Sequence, residues 1–189
     1  MSSAGDPVQP LKRIEAWLAT RHPDRLPLLR HGADPLDLRR AETRLGQALP
    51  ADLRRLYAAH DGQPEGAPSL YLNQRWLPLD LVAVAWEDLR LRHGARSARP
   101  VISDRSGGAA VLQAETWSES WLPLFGNWRG DHYCVDLHPD HCGRVVWFLY
   151  DQPHRAVVAN SLTYMLARVA DGLETGRWHL DPGLDGLSD

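Results

Sequence analysis

The chain has 189 residues, of which 43% are hydrophobic, and a formal net charge of -3 at pH 7. This length and composition are enough for one ordinary core, so we expect a single globular domain. The slightly acidic balance argues against sequence-independent binding of nucleic acid, which needs an excess of Lys and Arg. No apolar run approaches the roughly 20 residues that cross a bilayer, and the N-terminus lacks the pattern of a signal peptide. We therefore expect a cytoplasmic protein that binds neither nucleic acid directly nor a membrane.

Apolar residues at intervals of three or four predict three helices in the first 62 residues. The first begins at Pro10 and ends before His22-Pro23, because proline suits the first turn of a helix and interrupts its interior. The second ends at Gly46, and Leu49-Pro50 opens the third, which stops at Asp61-Gly62, so these two form a helical hairpin. The residues expected to face inward are Leu11, Ile14, Leu18, Leu38, Ala41, Leu45, Leu53, Leu56 and Tyr57.

The middle of the chain has weaker patterns. Residues 70–72 and 76–77 have the composition of short strands and could pair with each other as a small ribbon. A fourth helix is predicted from Pro78 to Gly94, with one apolar stripe. Residues 95–116 contain two turn-like clusters and no sustained period, which predicts an insertion or an irregular crossover. The inward residues of the fourth helix are Leu79, Val82, Trp86 and Leu89.

The last third of the chain has the pattern of a sheet followed by a helix. Strands are predicted at residues 121–125, 132–137, 144–150 and 156–159. Ser161 can cap a closing helix, whose inward residues are Leu162, Met165, Leu166 and Val169. The order of elements predicts a single α+β domain, with N-terminal helices packed on a mainly antiparallel sheet and a closing C-terminal helix. We divide it into an N-terminal helix and connector (1–35), the main domain (36–175) and a loose tail (176–189).

Alternation along the second predicted strand brings four potential metal ligands to one face. They are His132, Cys134, Asp136 and His138. With His141 and Cys142 from the next turn, these are suitable ligand types for zinc. However, alternate strand residues lie roughly 6.5 to 7 Å apart, and no paired spacing such as Cys-x-x-Cys is present. A half-buried strand with a polar face therefore explains them better, and no metal or other cofactor is predicted.

Other catalytic patterns are equally weak. Cys134 could be activated by His132, but a lone cysteine in a strand is more often an inert packing residue. Together with Cys142 it makes only two cysteines, fewer than a disulfide-rich secreted domain has, so reduced thiols are expected. Ser106-Gly-Gly lacks the Gly-x-Ser-x-Gly elbow, and His60-Asp61 is better explained as a helix end. We predict a protein that is not an enzyme; a metal- or thiol-dependent enzyme centred on residues 132–142 is the alternative.

The chain contains eight tryptophans, which is many for its length. Trp17, Trp86, Trp117 and Trp147 fit the core. Trp76, Trp121 and Trp128 lie near Pro, Gly, Asn or Arg, where an amphipathic ring could anchor a protein partner. For each of the three, packing in the core or a loop of the domain is the favoured explanation. The acidic residues of the fourth helix could meet a basic partner or form a solvated face. These residues are Asp80, Glu87 and Asp88.

The order of several short motifs resembles the SUKH superfamily, which contains fungal cell-wall assembly regulators of the Smi/Knr type and many bacterial immunity proteins. Residues 41–57 resemble its early pattern of Glu, Leu-Gly, Leu-Pro and an apolar helix, here Glu42, Leu45-Gly46 and Leu49-Pro50. His60-Asp61-Gly62 stands where an Asn-Gly ending is usual, so Asp61 is a departure. Later matches are Trp76-Leu-Pro-Leu79, Trp121-Leu-Pro-Leu124-Phe-Gly-Asn127, Gly130-Asp131 and Cys134-Val-Asp136-Leu137.

This resemblance implies a domain that binds another protein. For a bacterial chain it implies an immunity protein, which neutralises a cognate toxin, encoded next to it, by occluding the toxin's active site. A regulatory scaffold like the fungal members is a further alternative. The predicted partner-binding residues lie in turns that flank the sheet: Trp76, Trp128, Arg129 and Asp131.

Overall fold

The computed structural model of the protein describes residues 5–24, 29–67, 69–71, 73–94, 102–103, 111–112, 117–152, 155–181 and 186–188. The helices are α1 (Val8–Arg21), α2 (Pro35–Leu45), α3 (Ala51–Ala59), α4 (Leu79–His93) and α5 (Leu162–Glu174). The strands are β1 (Arg75–Trp76), β2 (Ile102–Ser103), β3 (Val111–Leu112), β4 (Trp121–Gly126), β5 (His132–Asp136), β6 (Val145–Phe148), β7 (Arg155–Ala159), β8 (His179–Asp181) and β9 (Gly186–Ser188). The predicted α+β class with a closing C-terminal helix is confirmed.

The helical hairpin of α2 and α3 is held by side chains that bind the backbone at its ends. Asp34 precedes α2, and its Oδ1 accepts hydrogen bonds from the backbone nitrogens of Leu36 (2.6 Å) and Asp37 (2.9 Å). Glu42 reaches across the turn, where its Oε1 accepts from the nitrogen of Leu49 at 2.9 Å. Capping of this kind satisfies amides that a helix end leaves without partners. Glu42 and Leu49-Pro50, two separate parts of the motif, are therefore joined by this hydrogen bond.

Asp61-Gly62 has a second role besides following α3. The Oδ1 of Asp61 accepts a hydrogen bond from the nitrogen of Leu79 at 2.9 Å, so this carboxylate caps the start of α4. Gly62 has a φ of 67°, and a Cβ at this position would lie 2.6 Å from the backbone nitrogen of Pro78. Only glycine permits both the backbone conformation and the close approach. The pair therefore joins the hairpin to the fourth helix.

The main sheet is antiparallel, and its described strands lie in the order β1-β4-β5-β6-β7-β3-β2. Helix α4 packs on β4, α5 packs beside β7, and α1 packs against α5. The buried side chains of helices and strands form one continuous core, which includes Leu11, Ile14 and Leu18 of α1. The N-terminal helix is therefore part of the same core as the main domain. Among the described residues, no helix combines the length and apolar composition needed to span a membrane.

The predicted ribbon between residues 70–72 and 76–77 is wrong. Trp76 pairs instead with Phe125 of β4, and in the described part of the earlier segment, residues 70 and 71, Tyr71 forms an isolated bridge with Gln74. The buried Oε1 of Gln63 accepts from the nitrogens of Leu70 (3.2 Å) and Trp76 (3.0 Å), so a side chain joins the two segments where a ribbon would use main-chain bonds. The sequence patterns did not predict this contact.

Two segments of uncertain pattern contain strands. Of the predicted insertion at residues 95–116, the structure describes 102–103 and 111–112, which form β2 and β3 and extend the sheet beyond β7; the remainder lies outside the described residues. In the segment predicted as a loose tail, β8 pairs with β9. Each pairing depends on which other strand lies alongside in the folded protein, and composition alone does not reveal that.

Candidate functional site

Strand β5, which holds the predicted ligand cluster, is buried along its whole length. All five residues are buried, so the expected half-buried strand with one polar face is wrong. Cys134 has no exposed surface, and burial raises the pKa of its thiol well above the usual value. A thiol that stays protonated and inaccessible is a poor nucleophile. Cys134 therefore has the properties of a core residue.

Asp136 is a buried centre of hydrogen bonds. Its Oδ1 accepts from Ser120 Oγ at 2.8 Å and from the nitrogen of His138 at 3.0 Å. Its Oδ2 lies 2.8 Å from Nη2 of Arg144. Each carboxylate oxygen already has a partner, and the group joins the start of β4 to the turn between β5 and β6. This contact accounts for the Asp at the end of the strand without a role as a metal ligand. Among the described residues, no group of three or more His, Cys, Asp or Glu could hold a metal ion.

Two tryptophans considered as partner anchors are core residues. Trp76 is 1% exposed, and its ring packs at 5.5 Å from that of Tyr57. Trp121 is 3% exposed and packs edge-on against Trp117 at 5.9 Å. Trp76, one of the predicted partner-binding residues, therefore lies in the core of the domain, and its strand pairs with β4. The nearby Pro78 gave no sign of this.

The turn between β4 and β5 is held by its own side chains. The Oδ1 of Asn127 accepts from the nitrogens of Arg129 (3.0 Å) and Asp131 (3.1 Å), and its Nδ2 donates to Oδ2 of Asp131 at 3.1 Å. Asp131 Oδ1 also accepts from the nitrogen of Tyr150 at 3.0 Å, which ties the turn to the end of β6. Gly130 has a φ of 87°, a conformation that glycine adopts without strain.

Trp128 projects from this turn into solvent. It is 86% exposed, the largest exposure among the exposed large hydrophobic side chains of the described residues. The guanidinium of Arg129 lies over its ring, with Cζ 4.9 Å from the centroid. Such a contact restrains both side chains. The turn therefore holds a large aromatic surface in a defined position outside the core.

A groove of about 790 Å³ lies beside Trp128. One wall is the exposed side of α4, where Val84 is 48% exposed. Residues of the turn before β1 and of the β4–β5 turn also line the groove, and so does His132. We call this cavity the α4 groove. Its lining consists of Glu65, Gly66, Ala67, Ser69, Asn73, Arg75, Leu77, Leu81, Val84, Ala85, Asp88, Gly126, Asn127, Trp128 and His132.

The other predicted site residues lie on the opposite side of the turn. Arg129 and Asp131 line a smaller cleft of about 530 Å³ with Trp147 and Tyr150. The turn is therefore a ridge between two cavities, with Trp128 facing the larger one. Of the four predicted residues, the structure brings Trp128, Arg129 and Asp131 together and separates Trp76 from them.

Sequence reasoning missed the α4 groove. Val84 lies outside the apolar stripe that was identified on α4, together with Leu81, Ala85 and Leu91. A helix with apolar residues on more than its core-facing stripe has apolar surface left to cover, and this was the available signal. His132 gave no such signal, because its place in the groove depends on how β5 lies relative to α4.

The fold and the site together define a class: an α+β domain in which helices flank an antiparallel sheet and a fixed aromatic turn stands beside an open groove. The SMI1/KNR4 family (SUKH-1) matches residues 32–168, and the chain belongs to this family. The family resemblance seen in the short motifs is thereby confirmed.

Three named relatives come from fungi. The chain is 27% identical to the glucan synthesis regulatory protein of Neurospora crassa over 90% of this chain and 39% of that protein. It is 27% identical to the cell wall biosynthesis/cell cycle regulator smi1 of Schizosaccharomyces pombe (90% and 36%). It is 23% identical to the cell wall assembly regulator SMI1 of Saccharomyces cerevisiae (89% and 41%). The chain thus spans about two fifths of the length of these relatives.

Proposed function

We propose that the protein is a non-catalytic module that binds another protein through Trp128 and the α4 groove. The observation that carries the proposal is the 86% exposure of Trp128 on a turn whose backbone is fixed by side-chain hydrogen bonds. Tryptophan is among the residues that contribute most to protein interfaces. A side chain already held in place loses less conformational entropy on binding than a mobile one.

A regulatory role is the first form of this proposal. The relatives are named as regulators of glucan synthesis and of cell-wall assembly, and no enzymatic activity is part of these names. The β5 strand agrees with such a role, since its Cys134 is buried and each carboxylate oxygen of its Asp136 has a partner, so neither is an accessible nucleophile or ligand. We propose that the domain binds one component of a regulatory assembly.

Neutralisation of a toxin is the second form. Here the Trp128 ridge would enter the toxin's active site or substrate groove and exclude its substrate. The net charge of -3 is the observation in its favour, because a toxin that acts on nucleic acid is often basic and opposite charges speed association. The named relatives are regulators, so this form is placed second.

Affinity purification of the tagged protein from its own cells tests the proposal. Four versions are compared by quantitative mass spectrometry: wild type, Trp128→Ala, Val84→Asp and Tyr164→Ala. Tyr164 is the matched control, because it is an aromatic residue 56% exposed on α5, outside the groove. We expect a protein that is enriched by wild type and by the control but lost with the other two variants. Equal recovery by all four versions would show that this surface is not the binding site.

The two forms of the proposal differ in what the partner does alone. If the partner is a toxin, its expression without this chain should stop growth, and co-expression of wild type, but not of Trp128→Ala, should restore it. If the partner is a regulatory component, its expression alone should leave growth unchanged. The product of an adjacent gene is the first candidate to examine, since a toxin and its immunity protein are expected side by side.

A further inference from the structure

The lining of the α4 groove includes the side chain of His132, whose ring has a nitrogen that can accept a hydrogen bond. His132 is 8% exposed, and its Nδ1 lies 3.2 Å from the carbonyl oxygen of Phe125. A carbonyl only accepts, so Nδ1 carries the hydrogen. Burial lowers the pKa of His132 to about 4, so the ring is neutral at pH 7 and Nε2 has a lone pair. Among the described residues, Nε2 has no hydrogen-bond partner. It is also not among the polar atoms that are completely buried without a partner, so it is open to solvent.

The groove favours positive charge near this nitrogen. Asp88 and Asp131 act on His132 as nearby negative charges. The lining includes two carboxylates, Glu65 and Asp88, of which Asp88 is also paired with Arg92 of the same helix at 2.7 Å, and the guanidinium of Arg75, whose Nη1 donates to the carbonyl of Pro64 at 3.2 Å. A group that brings both a hydrogen to donate and a positive charge would match this environment.

Apolar surface lies close to the same nitrogen. Val84 is 48% exposed on the α4 wall, where Leu81 and Ala85 accompany it, and Trp128 closes the other side. The amide of Asn127 also lines the groove, but both its oxygen and its nitrogen are used within the turn. The groove therefore combines apolar side chains with a hydrogen-bond acceptor in one lining.

We propose that the α4 groove binds a segment of the partner protein in which a lysine or arginine stands next to an apolar residue. The apolar side chain packs between Val84 and Trp128, and the cationic group donates a hydrogen bond to Nε2 of His132, with Asp88 beside it. The aliphatic stem of a lysine or arginine also packs well on an apolar wall. This inference rests on the proposed function, because it uses the same surface and adds the chemistry of the segment.

Selection from a displayed library of random peptides on the purified full chain tests the inference. We expect enriched sequences with Lys or Arg adjacent to an apolar residue. Affinities of a synthesised enriched peptide are then measured for wild type, His132→Phe, Val84→Asp and Leu91→Asp. Leu91 is the matched control, an apolar residue 80% exposed on α4 and not part of the groove. We expect binding to weaken about tenfold or more with the first two variants, as for loss of a charge-assisted hydrogen bond or an apolar wall, and to be unchanged with Leu91→Asp.

A measurement on the unaltered protein covers the case in which His132→Phe fails to fold. The ¹⁵N resonances of the His132 ring should show hydrogen on Nδ1 and none on Nε2, and addition of the enriched peptide should shift the Nε2 resonance. Enrichment of acidic or wholly apolar peptides, an unshifted Nε2, or no enrichment at all would overturn the inference.

The outcomes also separate this inference from the proposed function. If a cellular partner is lost with Trp128→Ala but is insensitive to replacement of its basic residues, the binding surface stands and the chemistry assigned to the segment is wrong. If no protein depends on Trp128 or Val84, the proposed function itself fails.

Discussion

Asn127 and Asp131 are bonded across the turn that carries Trp128, with Nδ2 of Asn127 3.1 Å from Oδ2 of Asp131. The same asparagine accepts two backbone amides, and the same aspartate holds the amide of Tyr150 at 3.0 Å. The turn thus has a fixed shape before any partner arrives. Asp131 therefore fixes the shape of the turn, and Trp128 provides the exposed area that we propose contacts a partner.

Replacement of Asn127 by Ala should loosen the turn. Three hydrogen bonds are lost at a half-buried position, so we expect the free energy of unfolding to fall by about 1–2 kcal/mol. Urea denaturation measures the change, and partner binding should weaken as well. Asn160→Ala, at an exposed position after β7, is the control and should change stability by less than about 0.5 kcal/mol. A similar loss for both variants would contradict the account of the turn.

Two tryptophan substitutions should affect different properties: Trp76→Ala the stability of the domain, and Trp128→Ala the binding of a partner. Trp76→Ala removes a ring that is 1% exposed and should cost about 3–5 kcal/mol of stability. Trp128→Ala removes a ring that is 86% exposed and should change stability by no more than about 0.5 kcal/mol, while partner binding is lost. Thermal or urea denaturation gives the stabilities. A large loss of stability with Trp128→Ala would mean that the ring packs on the domain.

The buried pair of Asp136 and Arg144 gives a further prediction. Asp136→Ala leaves a guanidinium that is only 12% exposed without its carboxylate, which typically costs about 3–5 kcal/mol. Asp136→Asn keeps an acceptor for Ser120 and should cost less. The control is Asp140→Ala in the next turn, where the side chain is 78% exposed, and it should be close to neutral. If Asp136→Ala is also neutral in urea denaturation, the pair does not join β4 to the β5–β6 turn.

Asp61 should make stability depend on pH in an unusual direction. Burial raises the pKa of this carboxyl in the folded protein, so ionisation disfavours folding, and stability should fall as the pH rises from the ordinary range of an aspartate through the raised value. Asp61→Asn cannot ionise and keeps an acceptor for the amide of Leu79. We expect its stability relative to wild type to improve as the pH rises over that interval.

The control for Asp61→Asn is Asp61→Ala, which also cannot ionise but leaves the Leu79 amide without its cap, so it should be about 1–3 kcal/mol less stable than Asp61→Asn at every pH. Denaturation curves between pH 4 and pH 8 compare the three proteins. If the two variants follow the same pH profile as wild type, Asp61 does not titrate with a raised pKa.

The two cysteines should react differently with a thiol reagent. Burial raises the pKa of both thiols, but Cys134 is fully buried whereas Cys142 is exposed in the turn after β5. In the native protein we expect one labelled thiol per chain, at Cys142, and labelling of Cys134 only on unfolding. Mass spectrometry of labelled peptides identifies the site. Rapid labelling of Cys134 in the native protein would show that this thiol is accessible, and it would support the alternative function as a thiol-dependent enzyme.

Local patterns predicted most of the helices and strands. Leu38, Ala41 and Leu45 lie on one face of α2 whatever surrounds it, and Ser161 caps α5 through its own neighbour Tyr164. The same is true of the strands β4 to β7, whose predicted positions agree with the structure within a few residues. These features depend on the order of neighbouring residues, which a sequence displays directly.

Features that depend on what covers each element could not be predicted. Trp76 and Trp128 each stand next to an arginine and were both considered as partner anchors, yet β-pairing buries the first and a hydrogen-bonded turn exposes the second. His132 and Val84 lie 48 positions apart and line one groove only because α4 packs beside β4.

By itself, then, the sequence determined the α+β class, the family and the turn on which Trp128 stands, because helix periodicity, strand alternation and short motifs are properties of neighbouring residues. The tertiary structure decided which tryptophan is exposed, why Cys134 and Asp136 are structural, and where the α4 groove lies. Burial and cavities arise from the packing of elements that are distant along the chain, and no local pattern records which surfaces that packing leaves open.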